Sequence, residues 1–369
     1  MESHQERILE LVPAIRMILS SKSLKTGHFV PMDQLSETDS QKISAKSGSS
    51  ISVFKGETDE LLVEIEKSKN DVGESLFIED LGLLTLSADS SKEEQKLLYN
   101  KVVAITGGAM GYGEGIARQL FGEGAHVVLM DINEEAGNAV AGDLNSQKRT
   151  NRAFFVKTDV TSLESVSDAV YKTVLEFGGL DVMISNAGVL KAGGIEEMDP
   201  GSFDFVTRVN YNGYFNVVKA ATPVMKRQTK YGPGYFNDII QINSKSGIEG
   251  SKKNFAYAGS KFAGIGLTHS FAMELMPDRI KVNAICPGNF FEGPLWSDPL
   301  KGLFIQYLNA GKVPGAKTIE DVKRHYESKV PAGRGCRIGD VVKAIKYVID
   351  QEYETGQAIP VTGGQVMLS

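Results

Sequence analysis

Tyr257 and Lys261 stand four residues apart, and Ser244 precedes Tyr257 by 13 residues. On a helix, residues four apart project from one face, one turn above the other. A lysine ammonium so placed favours the phenolate and draws a tyrosine down from its ordinary pKa of about 10. The phenol then becomes usable as a general acid–base. A serine hydroxyl nearby holds a carbonyl oxygen. Tyr-x-x-x-Lys is also an ordinary surface pairing, so its meaning depends on what else the chain carries.

The chain carries a dinucleotide pattern upstream. Lys101 to Thr106 is a short, β-branched apolar run of the kind that forms a buried parallel strand. Gly107-Gly-Ala-Met110-Gly111-Tyr112-Gly113 follows, and Ile116, Ala117, Leu120 and Phe121 then recur at helical spacing. Strand, glycine turn and helix together let the backbone approach a pyrophosphate at the helix N-terminus. A second apolar run ends in Asp131, 24 residues after Gly107. That spacing suits a carboxylate on the adenosine ribose. A carboxylate there repels a 2′-phosphate, and the turn holds no Arg or Lys to neutralise one, so the expected cofactor is NAD rather than NADP.

With these residues in view, the segment from about Lys101 to Ser369 resembles a short-chain dehydrogenase/reductase. Thr106-Gly107-x-x-x-Gly111-x-Gly113 is similar to that family's cofactor turn, and Asn186-Ala187-Gly188 to its strand-four motif. Asp159-Val160 resembles its adenine-contacting pair, and Pro287-Gly288 its loop beside the nicotinamide. The resemblance implies cofactor contacts from Gly107, Met110, Gly111, Tyr112, Gly113, Asp131, Ile132, Asp159, Val160, Asn186, Ala187, Gly188, Tyr257, Lys261, Pro287 and Gly288. It implies a catalytic set of Asn210, Ser244, Tyr257 and Lys261. In that set Tyr257 takes the hydroxyl proton and Lys261 tunes it and holds the nicotinamide ribose. Ser244 bonds the reacting oxygen, and Asn210 holds a water in a relay to Lys261. One position departs from the family pattern: five residues after Pro287, where threonine is frequent, stands Glu292.

Ile240-Gln-Ile-Asn-Ser-Lys-Ser-Gly247, Gly250-Ser-Lys252, Lys329-Val-Pro331, Arg334-Gly-Cys336 and Val361 to Met367 resemble members acting on sugar-alcohol phosphates. The expected reaction is reversible hydride transfer at a secondary alcohol of a polyol phosphate. Lysine is a good point-charge partner for phosphate, and Lys245, Lys252, Lys253 and Asn254 cluster between Ser244 and Tyr257. The expected substrate contacts are Ser244, Lys245, Ser246, Lys252 and Asn289. Trp296 and Phe290 either wall the substrate site or cap the core. The alternatives are a dehydrogenase of an unphosphorylated polyol or another ketose, or one derived from a bifunctional aldolase.

The elements that must position these residues alternate. After the first strand, Val127 to Met130, Phe154 to Val156, Val182 to Ser185, Ile239 to Ile242, Val282 to Cys286 and Ala358 to Val361 read as strands between helical stretches. The expected fold class is α/β, a Rossmann-type doubly wound parallel sheet over residues 96–369. A small α+β module of unknown role precedes it over residues 1–95. There, His4 to Ser21 has helical spacing, Gln34 to Ser50 reads as a loop, and a polar break spans 88–100. Ile51 to Phe54, Leu61 to Ile65, Ser75 to Ile78 and Leu83 to Leu86 read as short strands.

Composition agrees with a soluble globular protein: 369 residues, 41% hydrophobic and 23% charged, with a net charge of −6. That charge gives no electrostatic case for nucleic acid or an anionic membrane. Cys286 and Cys336 do not make a disulfide framework. None of the five histidines forms a metal-type cluster, so no metal is expected. No targeting segment is evident, since Glu10, Pro13 and Arg16 interrupt the first apolar stretch. A cytoplasmic enzyme with a small-molecule substrate is expected, and the resemblance implies a homodimer or homotetramer.

Overall fold

The computed structural model describes residues 3–20, 23–44, 51–87, 96–300, 302–309 and 311–367. Ser3 opens α1 (His4–Leu19) with a capping box: its hydroxyl accepts from Glu6 N–H at 3.2 Å, and the Glu6 carboxylate accepts from Ser3 N–H at 2.7 Å. There follow β1 (Thr26–Pro31), α2 (Glu37–Ser44), β2 (Ile51–Phe54), α3 (Thr58–Ser68), β3 (Ser75–Ile78) and β4 (Gly82–Ser87). They form a mixed four-stranded sheet in the order β1-β4-β3-β2, with only the β2–β3 pair parallel.

Three of the expected N-terminal strands lie where their patterns put them, and two readings need correction. Leu61, Val63 and Ile65 imitate a strand's alternation, yet Leu61 to Ile65 lies inside α3. Leu61, Leu62 and Ile65 are buried while Val63 is 50% exposed, which is the period of a helix. The expected loop from Gln34 contains α2, opened by Ser36, whose hydroxyl accepts from Asp39 N–H at 3.1 Å. Ser-x-x-Asp was the legible signal for that helix. Residues 45–50, Ser21 and 88–95 of the polar break lie outside the described residues. Strand β1 was not anticipated.

The second sheet is built by β5 (Val102–Thr106), α4 (Gly111–Gly122), β6 (His126–Asp131), α5 (Glu134–Ser146), β7 (Ala153–Lys157), α6 (Leu163–Phe177) and β8 (Val182–Ser185). Then come α7 (Pro200–Thr207), a π-helical turn at Arg208–Asn212, α8 (Gly213–Tyr231), β9 (Asn237–Ile242), α9 (Phe255–Leu275) and β10 (Ile280–Pro287). The chain continues through α10 (Pro294–Ser297), α11 (Leu303–Asn309), α12 (Ile319–Glu327), α13 (Ile338–Asp350) and β11 (Ala358–Val361). The seven strands run parallel in the order β11-β10-β9-β8-β5-β6-β7. The order reverses between β5 and β8, the switch point at which a sheet of this kind leaves a crevice outside the strands' carboxyl ends.

One core lies between the sheet and α4, α5 and α13, around Ile116, Leu120, Leu144, Val341 and Ile345. The other, on the α6–α8 face, continues without a break into the N-terminal elements, from Val217, Ala221 and Val224 to Ile8, Leu11 and Ile15. A fixed ion pair marks that junction. Arg16 and Asp181 both have fully buried side chains, joined at 3.0 and 2.7 Å through both carboxylate oxygens. A Cβ on Gly179 would stand 2.6 Å from the Arg16 guanidinium, so the glycine leaves the room that Arg16 fills.

Candidate active site

The β-branched run of β5 is buried at all five positions and delivers Gly107 to the crevice. Gly107 and Gly111 have φ of 64° and 60°, the left-handed region that glycine adopts freely. A Cβ on Gly113 would stand 1.9 Å from the Gly107 carbonyl oxygen. Met110 sits at the N-cap of α4 without a side-chain hydrogen bond to the first turn, and it is 51% exposed. Asn186, just past β8, latches the turn: its amide donates to the carbonyls of Thr106 at 3.0 Å and Gly107 at 3.1 Å. The Thr106 hydroxyl in turn accepts from the N–H groups of Asn186 and Ala187. Asp131, at the end of β6, accepts from Ala109 N–H at 3.0 Å and Asn133 N–H at 2.9 Å, so the acid borders the glycine turn. Ile132 beside it is 69% exposed. Asp159 accepts from Thr161, and Asn216 holds the Val160 carbonyl at 2.9 Å.

Across the crevice, Ser244 leaves β9 and Tyr257 and Lys261 ride on α9. Lys261 is buried, its ammonium donating to the Ile242 carbonyl at 3.0 Å and lying 5.6 Å from the Tyr257 ring centre. The Ser244 hydroxyl accepts from Ser246 N–H at 3.1 Å. The titration balance differs from the one expected from spacing. Burial raises the Tyr257 phenol, with the Ser244 hydrogen bond working in the opposite direction. Burial also lowers Lys261 to about 8. Both groups lie in one poorly solvated site, and that outweighs the pull that helical proximity suggested.

Asn210 sits in the π-helical turn, a distortion frequent at functional sites. Its amide donates to the Val189 carbonyl at 2.9 Å and the Ser260 hydroxyl at 3.0 Å, and its oxygen accepts from Val189 N–H. Both amide hydrogens are therefore engaged by Val189 and Ser260. Gly188 lies between Asn210 and Lys261: a Cβ there would stand 3.3 Å from Asn210 Oδ1 and 3.7 Å from Lys261 Nζ. Ser260 passes the connection on, donating to the Tyr257 carbonyl at 2.7 Å. Spacing did not single out Ser260, although it stands inside the Tyr-x-x-x-Lys motif.

After Pro287-Gly288 the chain runs through α10, α11 and α12, a segment here termed the lid. Trp296 is 8% exposed and belongs to an aromatic core of the lid with Phe291, Phe304, Tyr307 and Tyr326. Phe290 stacks on Tyr112 at 4.5 Å, so it joins the lid to the glycine turn. Gly288 N–H donates to Val361 O, and Asn289 accepts from Cys336 N–H. Glu292 pairs with Arg337 at 3.3 Å. In the loop before Tyr257, Lys253 pairs with Glu197 at 3.4 Å, while Lys252 is exposed and Lys245 half-buried.

The comparisons agree with this geometry. The family model described as short chain dehydrogenase matches residues 101–294. The sorbitol-6-phosphate 2-dehydrogenase of Escherichia coli K12 is 36% identical over 271 residues, which cover 73% of this chain and 99% of that protein. A crystal structure of a sorbitol-6-phosphate 2-dehydrogenase from Erwinia amylovora superposes with a TM-score of 0.66 at 35% identity, covering 72% of this chain and 100% of that one. An uncharacterized oxidoreductase of Bacillus subtilis is 28% identical over 370 residues, spanning 97% of this chain and 49% of that protein. That alignment takes in the N-terminal elements that lie beyond the other two matches. A parallel seven-stranded sheet, a glycine turn at its switch point, and a serine, tyrosine and lysine facing that turn meet in one crevice: the chain belongs to the short-chain dehydrogenase family and is an oxidoreductase.

Proposed function

We propose that this enzyme is NAD-dependent and interconverts a secondary alcohol of sorbitol 6-phosphate with the ketone of fructose 6-phosphate. The observation that carries the reading is the convergence of Ser244, Tyr257 and Lys261 on the crevice that the glycine turn borders. The residues fit a dinucleotide. The turn is open above Gly111, where a Cβ would meet nothing within 4 Å, and the start of α4 lacks a side-chain cap. Both features suit a pyrophosphate. Asp131 would take the adenosine ribose, which favours NAD. Ile132, Asp159 and Val160 would border the adenine, and Lys261, Asn186, Ala187, Gly188, Pro287 and Gly288 the nicotinamide half. Bound there, the nicotinamide supplies the hydride acceptor.

The chain's own residues manage the proton. Tyr257 takes it from the alcohol during oxidation and returns it during reduction. Lys261, cationic below about 8, favours the phenolate. Ser244 holds the reacting oxygen and steadies its developing charge. Substrates with and without the phosphate test this assignment. NADH should be consumed with fructose 6-phosphate and far more slowly with fructose, and NADPH should replace NADH poorly. Equal rates on both sugars would discard the phosphate and leave a dehydrogenase of free polyols.

Lys252 and Lys245 are the proposed phosphate partners, with Ser246 and Asn289 nearby, because Lys253 is already paired to Glu197. Lys252→Ala should raise KM for the phosphorylated sugar about tenfold, the worth of one charge-assisted contact, and leave kcat unchanged. An unaltered KM would remove Lys252 from the site.

We read residues 1–95 as a module that braces the dehydrogenase unit of residues 96–369, resting on the continuous core and the Arg16–Asp181 pair. The proposed oligomer, a dimer or tetramer, uses the face of α7, α8 and α9. On those helices Phe205, Phe215, Phe262 and Met273 stand 41, 43, 46 and 82% exposed, and exposed apolar side chains of this size suit an interface. Light scattering at the mass of one chain would contradict it. A cytoplasmic location stays part of the proposal; among the described residues no helix is long and apolar enough to cross a membrane.

A further inference from the structure

Asn243 is 4% exposed, at a position where the neighbouring strand residues Ile239, Ile240 and Ile242 are apolar and buried. A buried amide is costly unless its polar atoms are bonded. Here they are. The Asn243 oxygen accepts from Ser244 N–H at 2.8 Å. Its nitrogen donates to the Lys261 carbonyl at 2.9 Å and to the Gln241 side-chain oxygen at 2.7 Å. One side chain therefore ties the backbone of Ser244, at the end of β9, to the backbone of Lys261 on α9. The Lys261 ammonium returns the connection to Ile242 O at 3.0 Å. The backbone N–H of Asn243 donates to Ile285 O at 2.7 Å, which anchors the tie to the sheet. Two glycines leave room for the amides. A Cβ on Gly247 would stand 2.1 Å from Asn243 Oδ1, and one on Gly264 2.5 Å from Gln241 Nε2.

We propose that Asn243 is a positioning residue, fixing Ser244 relative to Tyr257 and Lys261 so that the reacting oxygen meets hydroxyl and phenol together. The inference rests on the proposed roles of those three residues. No apolar residue can replace it without leaving Ser244 N–H unpaired and cutting the tie to Lys261 C=O. An aspartate would set a carboxylate oxygen against two acceptors.

The test uses the full chain. Asn243→Ala should lower kcat roughly ten- to hundredfold, the loss expected from misplacing a reacting group by about 1 Å. KM for NAD should stay within about twofold, because the glycine turn is held separately by Asn186. The limb on which oxidation falls as pH is lowered should move, since Ser244 no longer bonds the Tyr257 phenol in the same geometry. A purely structural role would lower the melting temperature and leave kcat per folded enzyme and the pH limb where they were. Gly247→Ala presses on the same oxygen from the other side and should act in the same direction, which keeps the test open if Asn243→Ala does not fold. Unchanged kcat and pH limb in whichever of the two variants folds would overturn the proposal. Tyr257→Phe separates the levels. If that variant keeps full turnover, the functional reading fails. If it loses turnover while the Asn243 and Gly247 variants do not, only the positioning role fails.

Discussion

Tyr257→Phe should lower kcat by about 10²- to 10⁴-fold, the usual contribution of a positioned acid–base group, with the dinucleotide still bound. The substitution removes one oxygen and keeps the ring, so packing on α9 survives. The dinucleotide contacts assigned to the glycine turn and Asp131 stand on other elements and are untouched. What disappears is the group proposed to take the alcohol proton. The phenol is raised by burial and moderated by Ser244, so its loss cannot be made good by water in the same geometry. Steady-state kinetics with fluorescence titration of NADH checks both halves. A variant that turns over at the parental rate would show that the proton leaves by another path.

Arg16→Met should destabilise the folded chain by about 3–5 kcal/mol, the cost of leaving a buried charge without its partner. Asp181 is fully buried and also accepts from Val102 N–H at 2.7 Å and the Gln228 amide at 2.9 Å. Burial alone would raise its carboxyl. Arg16, with Lys101 and the Val102 N–H, holds it below the usual range instead. The sign of the pH dependence follows. A carboxyl lowered by folding contributes stability above the unfolded value of about 3.9, and that contribution is lost as pH falls through the lowered folded value. Arg16→Met should flatten this acid limb, and adding Asp181→Asn should recover part of the lost stability by removing the orphaned charge. Urea unfolding of the parent and the two variants between neutral and acid pH measures it. Equal stability of Arg16→Met and the parent would mean that the N-terminal elements lean on the sheet without bracing it.

The sheet of seven strands was legible because its central strands β5, β6 and β8 are buried on both faces and read as largely apolar runs, alternating with helical stretches. Ala358 to Val361 begins and ends where its pattern said. The N-terminal elements were harder. The stretch Leu61 to Ile65 supports both periods, and only burial of Leu62 with exposure of Val63 decides for the helix. Tyr257, Lys261 and Ser244 were legible because their spacing is local to one strand, loop and helix. Asn243 and Arg16 were not, since their roles depend on what tertiary packing sets against them. Arg16 in particular reads as the polar face of an amphipathic helix. It is instead buried against a carboxylate 165 residues away. The titration of Tyr257 escapes its spacing for the same reason: four residues on a helix predict proximity to Lys261 but say nothing of how dry the site is.

The most direct test of the central claim is NADH formation from a panel of sugar alcohols, each with and without a 6-phosphate. The account predicts rapid turnover on sorbitol 6-phosphate, fructose 6-phosphate as product, and much slower turnover on sorbitol. No turnover on any polyol or polyol phosphate, by an enzyme that still binds NADH, would contradict it.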